Sequence, residues 1–254
     1  MADPELLVLW DVDHTLLNAG GLSAQLYGAV FAELYGRELA QVAPMAGRTD
    51  RAIIVETLTM AGIPDPRGQA DVFIAGMARH APAYGEQIRR RGHVLPGAIA
   101  ALTALGRPGG RPQGGAGRRR DGAPGGTGGT ALQSVLTGNI RPLAEVKLGV
   151  LGLRGLLDLD IGAYGDSHET RSELVHVARA RAAAAAGRAF GGESTVLIGD
   201  TPLDVAAALA TGARAVGVAT GGFTGADLAA AGAHAVLRDL ADTPGVLAAI
   251  RAAR

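Results

Sequence analysis

The pattern of apolar and polar positions divides the chain into two textures. Leu6 to Trp10 is a continuous apolar run, LLVLW, broken at once by Asp11, Val12, Asp13, His14 and Thr15. Such a run predicts a strand buried on both faces, as in a parallel sheet. From Leu22 the period changes: Leu22, Leu26, Val30 and Leu34 recur every four residues, with Tyr27 and Phe31 on the same face, and predict a helix. A second helix is predicted over Thr49 to Gly62 on the stripe Ile53, Ile54, Thr57, Leu58 and Ala61, with Thr49 as N-cap and Gly62 and Pro64 as the stop. Ala70, Phe73, Ile74 and Met77 mark a third helix, and Tyr84 to Arg91 a fourth. No β-alternation interrupts Leu22 to Gly92, so an all-helical unit is inserted behind the first strand.

His93 to Gly97 reads as the return linker, and beyond it helices and strands alternate. Helices are predicted over Ala98–Leu105, from near Arg141, and over Ser172–Gly187, Asp204–Thr211 and Thr224–Ala231. Strands are predicted over Gln133–Thr137, Leu159–Ala163, Thr195–Gly199, Ala213–Val218 and Ala235–Leu237. Pro142 falls in the first turn of its helix, where a missing N–H costs nothing. The alternation implies right-handed crossovers and a parallel, three-layer α/β domain. The division expected is a core of residues 1–17 and 93–254 around a helical unit of residues 18–92. Gly106 to Thr130 stands apart, with no period and almost no apolar side chains. It cannot bury enough surface to offset its ordering entropy. It reads either as an insertion or as an out-of-frame stretch of GC-rich coding sequence. Arg118–Arg120 lie in an internal, short segment without aromatics, unlike a nucleic-acid-binding tail.

Composition narrows the classes. Hydrophobic residues make up 48% and charged residues 19%, a globular balance. A formal net charge of zero gives no electrostatic reason for a nucleic-acid partner. The absence of cysteine excludes disulfides, thiolate nucleophiles and cysteine-ligated zinc. Asp3 and Glu5 before five apolar residues do not suit a signal peptide. No stretch approaches the roughly 20 apolar residues of a membrane span. A soluble, cytoplasmic protein without membrane partners is expected.

Candidate chemistry gathers at the predicted strand ends. Asp11 and Asp13 follow the first strand, where open α/β sheets place their ligands. One side chain and the other residue's carbonyl can face a common centre, and oxygen ligands suit Mg²⁺. Thr137, Gly138 and Asn139 close another strand with a hydroxyl and N–H groups, an anion site. Asp200 ends the run VLIG, and Asp204 lies one helical turn further on, either on the metal shell or as a first-turn aspartate favoured by the helix dipole.

DVDHT, TGN at Thr137–Asn139 and GDTPLD at Gly199–Asp204 resemble, in order, the first, second and fourth motifs of the haloacid dehalogenase-like hydrolases. The resemblance covers nearly the whole chain and points to the phosphoglycolate phosphatase-like branch. It implies a Rossmann-like core with an inserted helical cap, and Mg²⁺ held by Asp11, Asp13, Asp200 and Asp204. It implies Asp11 as the nucleophile of an aspartyl-phosphate, Asp13 as acid and base, and Thr137, Gly138 and Asn139 around the phosphate.

The third motif departs from the pattern, since no Lys-Pro pair occurs. Lys147, the one lysine of the chain, lies about six residues into its helix, roughly 9 Å along the axis, with a side chain that leans back towards the site. Arg171 occupies the place of the missing pair; Lys147 is the expected third-motif charge and phosphate ligand. His14 replaces a usual glycine, either as a loop histidine or as a substrate contact, and Arg48 and Arg51 are candidate anion contacts from the cap. The expected function is hydrolysis of a small phosphorylated metabolite. A sugar-phosphate mutase and a catalytically silent binding protein are the alternatives.

Overall fold

The computed structural model describes residues 6–106 and 131–252. The first strand, β1 (Leu6–Trp10), runs into a two-residue strand β2 (Leu17–Asn18) and then into helices α1 (Ser23–Tyr35), α2 (Asp50–Met60), α3 (Pro66–His80) and α4 (Gly85–Arg91). The chain returns through β3 (His93–Val94) to α5 (Ala98–Leu105). There follow β4 (Ala131–Thr137), α6 (Arg141–Val150), β5 (Ala163–Tyr164), α7 (Arg171–Ala186), β6 (Thr195–Gly199), α8 (Pro202–Ala210), β7 (Arg214–Val218), α9 (Gly225–Ala230), β8 (Ala235–Leu237) and α10 (Thr243–Ala252).

Six strands form a parallel sheet in the order β5-β4-β1-β6-β7-β8. The apolar run of β1 is buried on both faces because successive side chains point to opposite layers. Leu6, Val8 and Trp10 pack with α5, α6 and α10 on one side, and Leu7 and Leu9 with α7 and α8 on the other. The result is a three-layer α/β core. The helices between β2 and β3 have an apolar cluster of their own, including Tyr27, Phe31, Ile54, Leu58 and Phe73, joined by Ile140, just before α6, and Leu143 within it. Among the described residues no helix is long and apolar enough to cross a membrane.

Several local expectations change. The return linker pairs antiparallel with the residues after β1, Leu17 with Val94 and Asn18 with His93, so the two ends of the helical unit are tied together. The strand expected over Leu159–Ala163 shrinks to β5, because Asp158 Oδ1 accepts a bond from the Asp160 N–H at 3.1 Å and turns the chain there. Helix α8 begins at Pro202 rather than Asp204, behind a capping box made by Thr201 and Asp204. Helix α3 begins at Pro66, capped by Asp65, well before the apolar stripe that marks it. The Gly106–Thr130 stretch lies, apart from Gly106, outside the described residues.

Candidate active site

From β1 the chain moves to β4 and β5 on one side of the sheet, then crosses back to β6, β7 and β8 on the other. That reversal opens a crevice at the carboxyl ends of the central strands. Asp11 and Asp13 follow β1, Thr137 closes β4, and Asp200 follows β6. A cavity of about 540 Å³ lies there, walled by these four residues, Gly138, Asn139 and Arg171, and roofed by residues of the helical unit.

Asp11, Asp200 and Asp204 are buried, and one carboxylate oxygen of each lies within 4.8 Å of the others. Arg171 is the cation set among them: its Nη2 is 2.6 Å from Asp11 Oδ1 and 2.5 Å from Asp204 Oδ1. The other oxygen of Asp204 accepts from the Thr201 hydroxyl at 2.7 Å and the Thr201 N–H at 3.1 Å. The Thr15 hydroxyl donates to Asp200 Oδ1 at the longer distance of 3.4 Å. Burial, with the charge of Asp204 next, raises the Asp11 carboxyl well above its usual range and pushes Asp200 up to about 7. When all three are ionised, three carboxylates against one guanidinium leave an excess of two negative charges in a buried pocket of hard oxygen donors. That donor set fits a small divalent cation.

Asp13 faces a different partner. Its Oδ2 accepts from Lys147 Nζ and from Asn139 Nδ2, both at 2.6 Å. Lys147 also donates to Asn139 Oδ1 at 2.8 Å and is only 2% exposed. Burial raises the Asp13 carboxyl, but the charge and hydrogen bond of Lys147 and the bond from Asn139 outweigh it and hold it below the ordinary value. The sequence expectation changes on one point here. The cation on Asp11 is Arg171, not Lys147, because α7 opens beside the strand ends while α6 carries Lys147 to Asp13. The Asp13 carboxyl lies outside the acidic cluster of Asp11, Asp200 and Asp204, so any share of Asp13 in a metal site falls to its backbone carbonyl.

The Thr137 hydroxyl oxygen accepts from the Asn139 side chain at 2.8 Å and main chain at 3.2 Å, which turns its own proton elsewhere. Gly138 is obligatory for packing: a Cβ there would stand 2.0 Å from the Arg48 carbonyl oxygen. Gly221 is equally constrained, since a Cβ would meet Asp200 Oδ2 at 1.8 Å. His14 lines the cavity mouth with φ 61, a left-handed conformation. Replacing it by glycine removes that strain, and His14→Gly is expected to stabilise the fold by up to about 1 kcal/mol. Urea midpoints of the two proteins check this; a lower midpoint for the variant would show that the imidazole packs usefully.

Arg48 and Arg51 come close in sequence but do not present free charge. Arg48 donates to the carbonyls of Pro44 at 3.0 Å and Ala52 at 3.4 Å and pairs with Glu56 at 2.6 Å. Arg51 pairs with Asp71 and donates to the Asp166 carbonyl at 2.7 Å. The start of α2 is sewn to the strand-end loops. The Asp50 N–H donates to Gly138 O at 2.7 Å, the Arg51 N–H to Gly165 O at 2.9 Å, and the Thr49 hydroxyl to Glu169 O at 3.0 Å.

Asp50 is the site residue that sequence reasoning misses, because an aspartate one place after a threonine N-cap looks like an ordinary helix start. It is buried, and its two oxygens accept from the Tyr27 hydroxyl at 2.7 Å and the Ile140 N–H at 2.8 Å. Burial pushes its carboxyl up to about 6, against the opposing pull of the bonds from Tyr27 and Ile140 and the charge of Lys147. The folded state therefore binds this proton more tightly than the unfolded chain. Asp50 costs nothing below the unfolded value near 4 and costs the fold most above 6, by roughly 2–3 kcal/mol. Relative to Asp50→Asn, the native protein should lose that much stability between pH 4 and 7. Denaturant titrations of both proteins across that range test it, and a difference independent of pH contradicts it.

Comparison with known proteins bears on the fold. A family model described as HAD-hydrolase-like matches residues 173–243. No curated protein sequence matches the chain. Among solved structures, a predicted phosphatase from Clostridium acetobutylicum is 17% identical with a TM-score of 0.63, covering 96% of this chain and 98% of that one. A hydrolase from Pseudomonas syringae is 20% identical with a TM-score of 0.61, covering 96% and 97%. A predicted phosphoglycolate phosphatase from Haemophilus somnus is 16% identical with a TM-score of 0.58, covering 97% and 99%. Over residues 173–243 the sequence is similar to the HAD-hydrolase-like family, and along nearly its whole length the chain shares the fold of these solved structures.

Proposed function

We propose that the protein is a Mg²⁺-dependent phosphatase that hydrolyses a small phosphorylated metabolite through an aspartyl-phosphate on Asp11. The observation that carries this reading is the pairing of two aspartates with different neighbours at one strand end. Asp11 sits beside Arg171 and the acidic cluster, and Asp13 sits beside Lys147 and Asn139. Asp11, Asp200 and Asp204 would hold the metal, which supplies positive charge for the non-bridging phosphate oxygens.

The residues of the chain divide the rest of the work. An Asp11 carboxylate oxygen attacks phosphorus in line, and the bond to the leaving oxygen breaks. Arg171 neutralises Asp11 and the incoming phosphate together, and the outward-turned Thr137 hydroxyl proton is available to a phosphate oxygen. Asp13, as it stands, is anionic, the form that takes a proton from the water that cleaves the acyl-phosphate. To act first as the acid it must gain a proton, and the negative charge of a bound phosphate favours that. Lys147 and Asn139 orient its carboxyl through both steps. Residues 18–92 form the cap in this reading, since α1, α2 and the loop between them roof the cavity.

Phosphate release from a panel of small phosphoesters, with Mg²⁺ and with excess chelator, tests the proposal. Release to water that depends on Mg²⁺ supports it. Transfer only to a second sugar hydroxyl points instead to a mutase using the same aspartates, and no transfer at all overturns it.

A further inference from the structure

The cavity is much larger than a phosphoryl group, so the leaving group must occupy its cap side. At about 540 Å³ it has room for an alcohol of considerably more than two carbons. The cap-side and mouth walls include Ala19, Ala24, Met45, Ala46, Ile53 and Phe223, with Asn18 and Ser23 as neutral polar groups. Charge there is already spent. Arg171 is bound to Asp11 and Asp204 at the reaction centre, and Lys147 is buried behind Asp13 and Asn139. Arg48 touches the cavity, but its guanidinium is turned to two carbonyl oxygens and Glu56, and Arg51 is turned to Asp71 and Asp166. His14 belongs to the core side of the mouth, its Cβ beside Gly221 next to Asp200. The one acidic group on the cap side, Asp50, has its oxygens occupied by Tyr27 and Ile140 and offers an anion nothing.

We infer that the substrate is a phosphomonoester of a neutral alcohol with an apolar body, and not one whose leaving group carries a carboxylate or a second phosphate. The inference rests on the phosphatase reading above and names its substrate class. A second anion on the cap side of this cavity would exchange much of its hydration for apolar walls, and both arginines that line the cavity, Arg48 and Arg171, are already turned to other partners. A neutral alkyl chain gains from the same burial.

The test compares n-pentyl phosphate with 5-(phosphonooxy)pentanoate, which share chain length and leaving-group chemistry and differ in the terminal carboxylate. The full-length protein with Mg²⁺ is assayed at pH 8, above the usual titration range of imidazoles, with p-nitrophenyl phosphate as the control. The pentyl ester should be preferred by at least roughly tenfold in kcat/KM, the scale on which an unpartnered polar group is rejected. Ala24→Lys, which places an ammonium at an exposed cavity-lining position, should shift that ratio several-fold towards the carboxylate ester. Arg48→Met should leave the ratio unmoved.

Equal or better use of the carboxylate ester, with p-nitrophenyl phosphate hydrolysed, overturns the inference and leaves the phosphatase reading intact. So does a ratio that rises further towards the pentyl ester in Arg48→Met, because Arg48 would then be the anion's partner. Failure to hydrolyse any of the three esters overturns the phosphatase reading and the inference with it.

Discussion

Asp11→Asn is expected to abolish turnover of every phosphoester, because an amide cannot form the acyl-phosphate, whereas Asp13→Asn should stall at a different point. With a poor leaving group, Asp13→Asn loses the proton donor and slows by roughly 10²–10⁴-fold. With p-nitrophenyl phosphate, the leaving group departs without help, and the first step survives. Phosphoenzyme then accumulates, since the attacking water has lost its base. Rapid-quench measurement of covalent phosphate separates the two variants: a burst from Asp13→Asn and none from Asp11→Asn. Both variants disturb charged neighbours, so amplitudes must be normalised to folded protein. Asp13→Asn leaves Lys147 buried without its carboxylate, and Asp11→Asn leaves Arg171 with Asp204 alone. Equal labelling of the two variants would refute the division of roles.

Arg171→Met should destabilise metal-free protein at pH 7 by about 3–5 kcal/mol, the usual cost of removing one member of a buried ion pair. The guanidinium lies against both Asp11 and Asp204, and Asp200 stands close by, so its loss leaves three buried carboxylates facing one another. The sign of the pH dependence follows. Burial raises Asp11 and Asp200, and Arg171 is the nearby charge opposing that rise; without it they hold protons to still higher pH. Protonation relieves the repulsion, so the destabilisation should shrink as pH falls from 7 to 5. Added Mg²⁺ should restore part of the loss by binding the folded state, in proportion to the logarithm of its concentration. Thermal unfolding of native and variant protein at the two pH values, with and without Mg²⁺, provides the check. An Arg171→Met variant as stable as the native protein would mean that Arg171 does not hold the acidic cluster.

The elements legible in the sequence were those whose burial writes a period. The apolar run of β1 and the four-residue spacing of α1 each reflect a single face or pair of faces packed on a core. What escaped was set by polar geometry. Asp158 turns the segment before β5, and Thr201 with Asp204 moves the start of α8 two residues earlier, through hydrogen bonds that hydropathy does not register. At the site, the motif spacing located Asp11, Asp13, Thr137 and Asp200 because each ends or follows a strand. The choice between Lys147 and Arg171 was not legible. It depends on where α6 and α7 sit about the strand ends, and each turns out to serve a different aspartate. Asp50 left no trace, since its partners Tyr27 and Ile140 lie 23 and 90 residues away.

The seam between the start of α2 and the strand-end loops sets a cost on parting the helical unit from them. Five hydrogen bonds cross it, from Thr49, Asp50 and Arg51 to the carbonyls of residues 138, 165, 166 and 169 and back from Ile140. At a net 0.5–1.5 kcal/mol each, parting them all costs roughly 2.5–7.5 kcal/mol. A gap of about 4 kcal/mol corresponds to an open population on the order of one in a thousand. The antiparallel pair of β2 and β3 meanwhile keeps the two ends of the helical unit joined, so the seam can part while that pair acts as the pivot. In the proposed phosphatase, widening the cavity between α2 and the strand-end loops would have to part this clasp beside Asp11, and that cost is written partly in main-chain atoms that no substitution can remove.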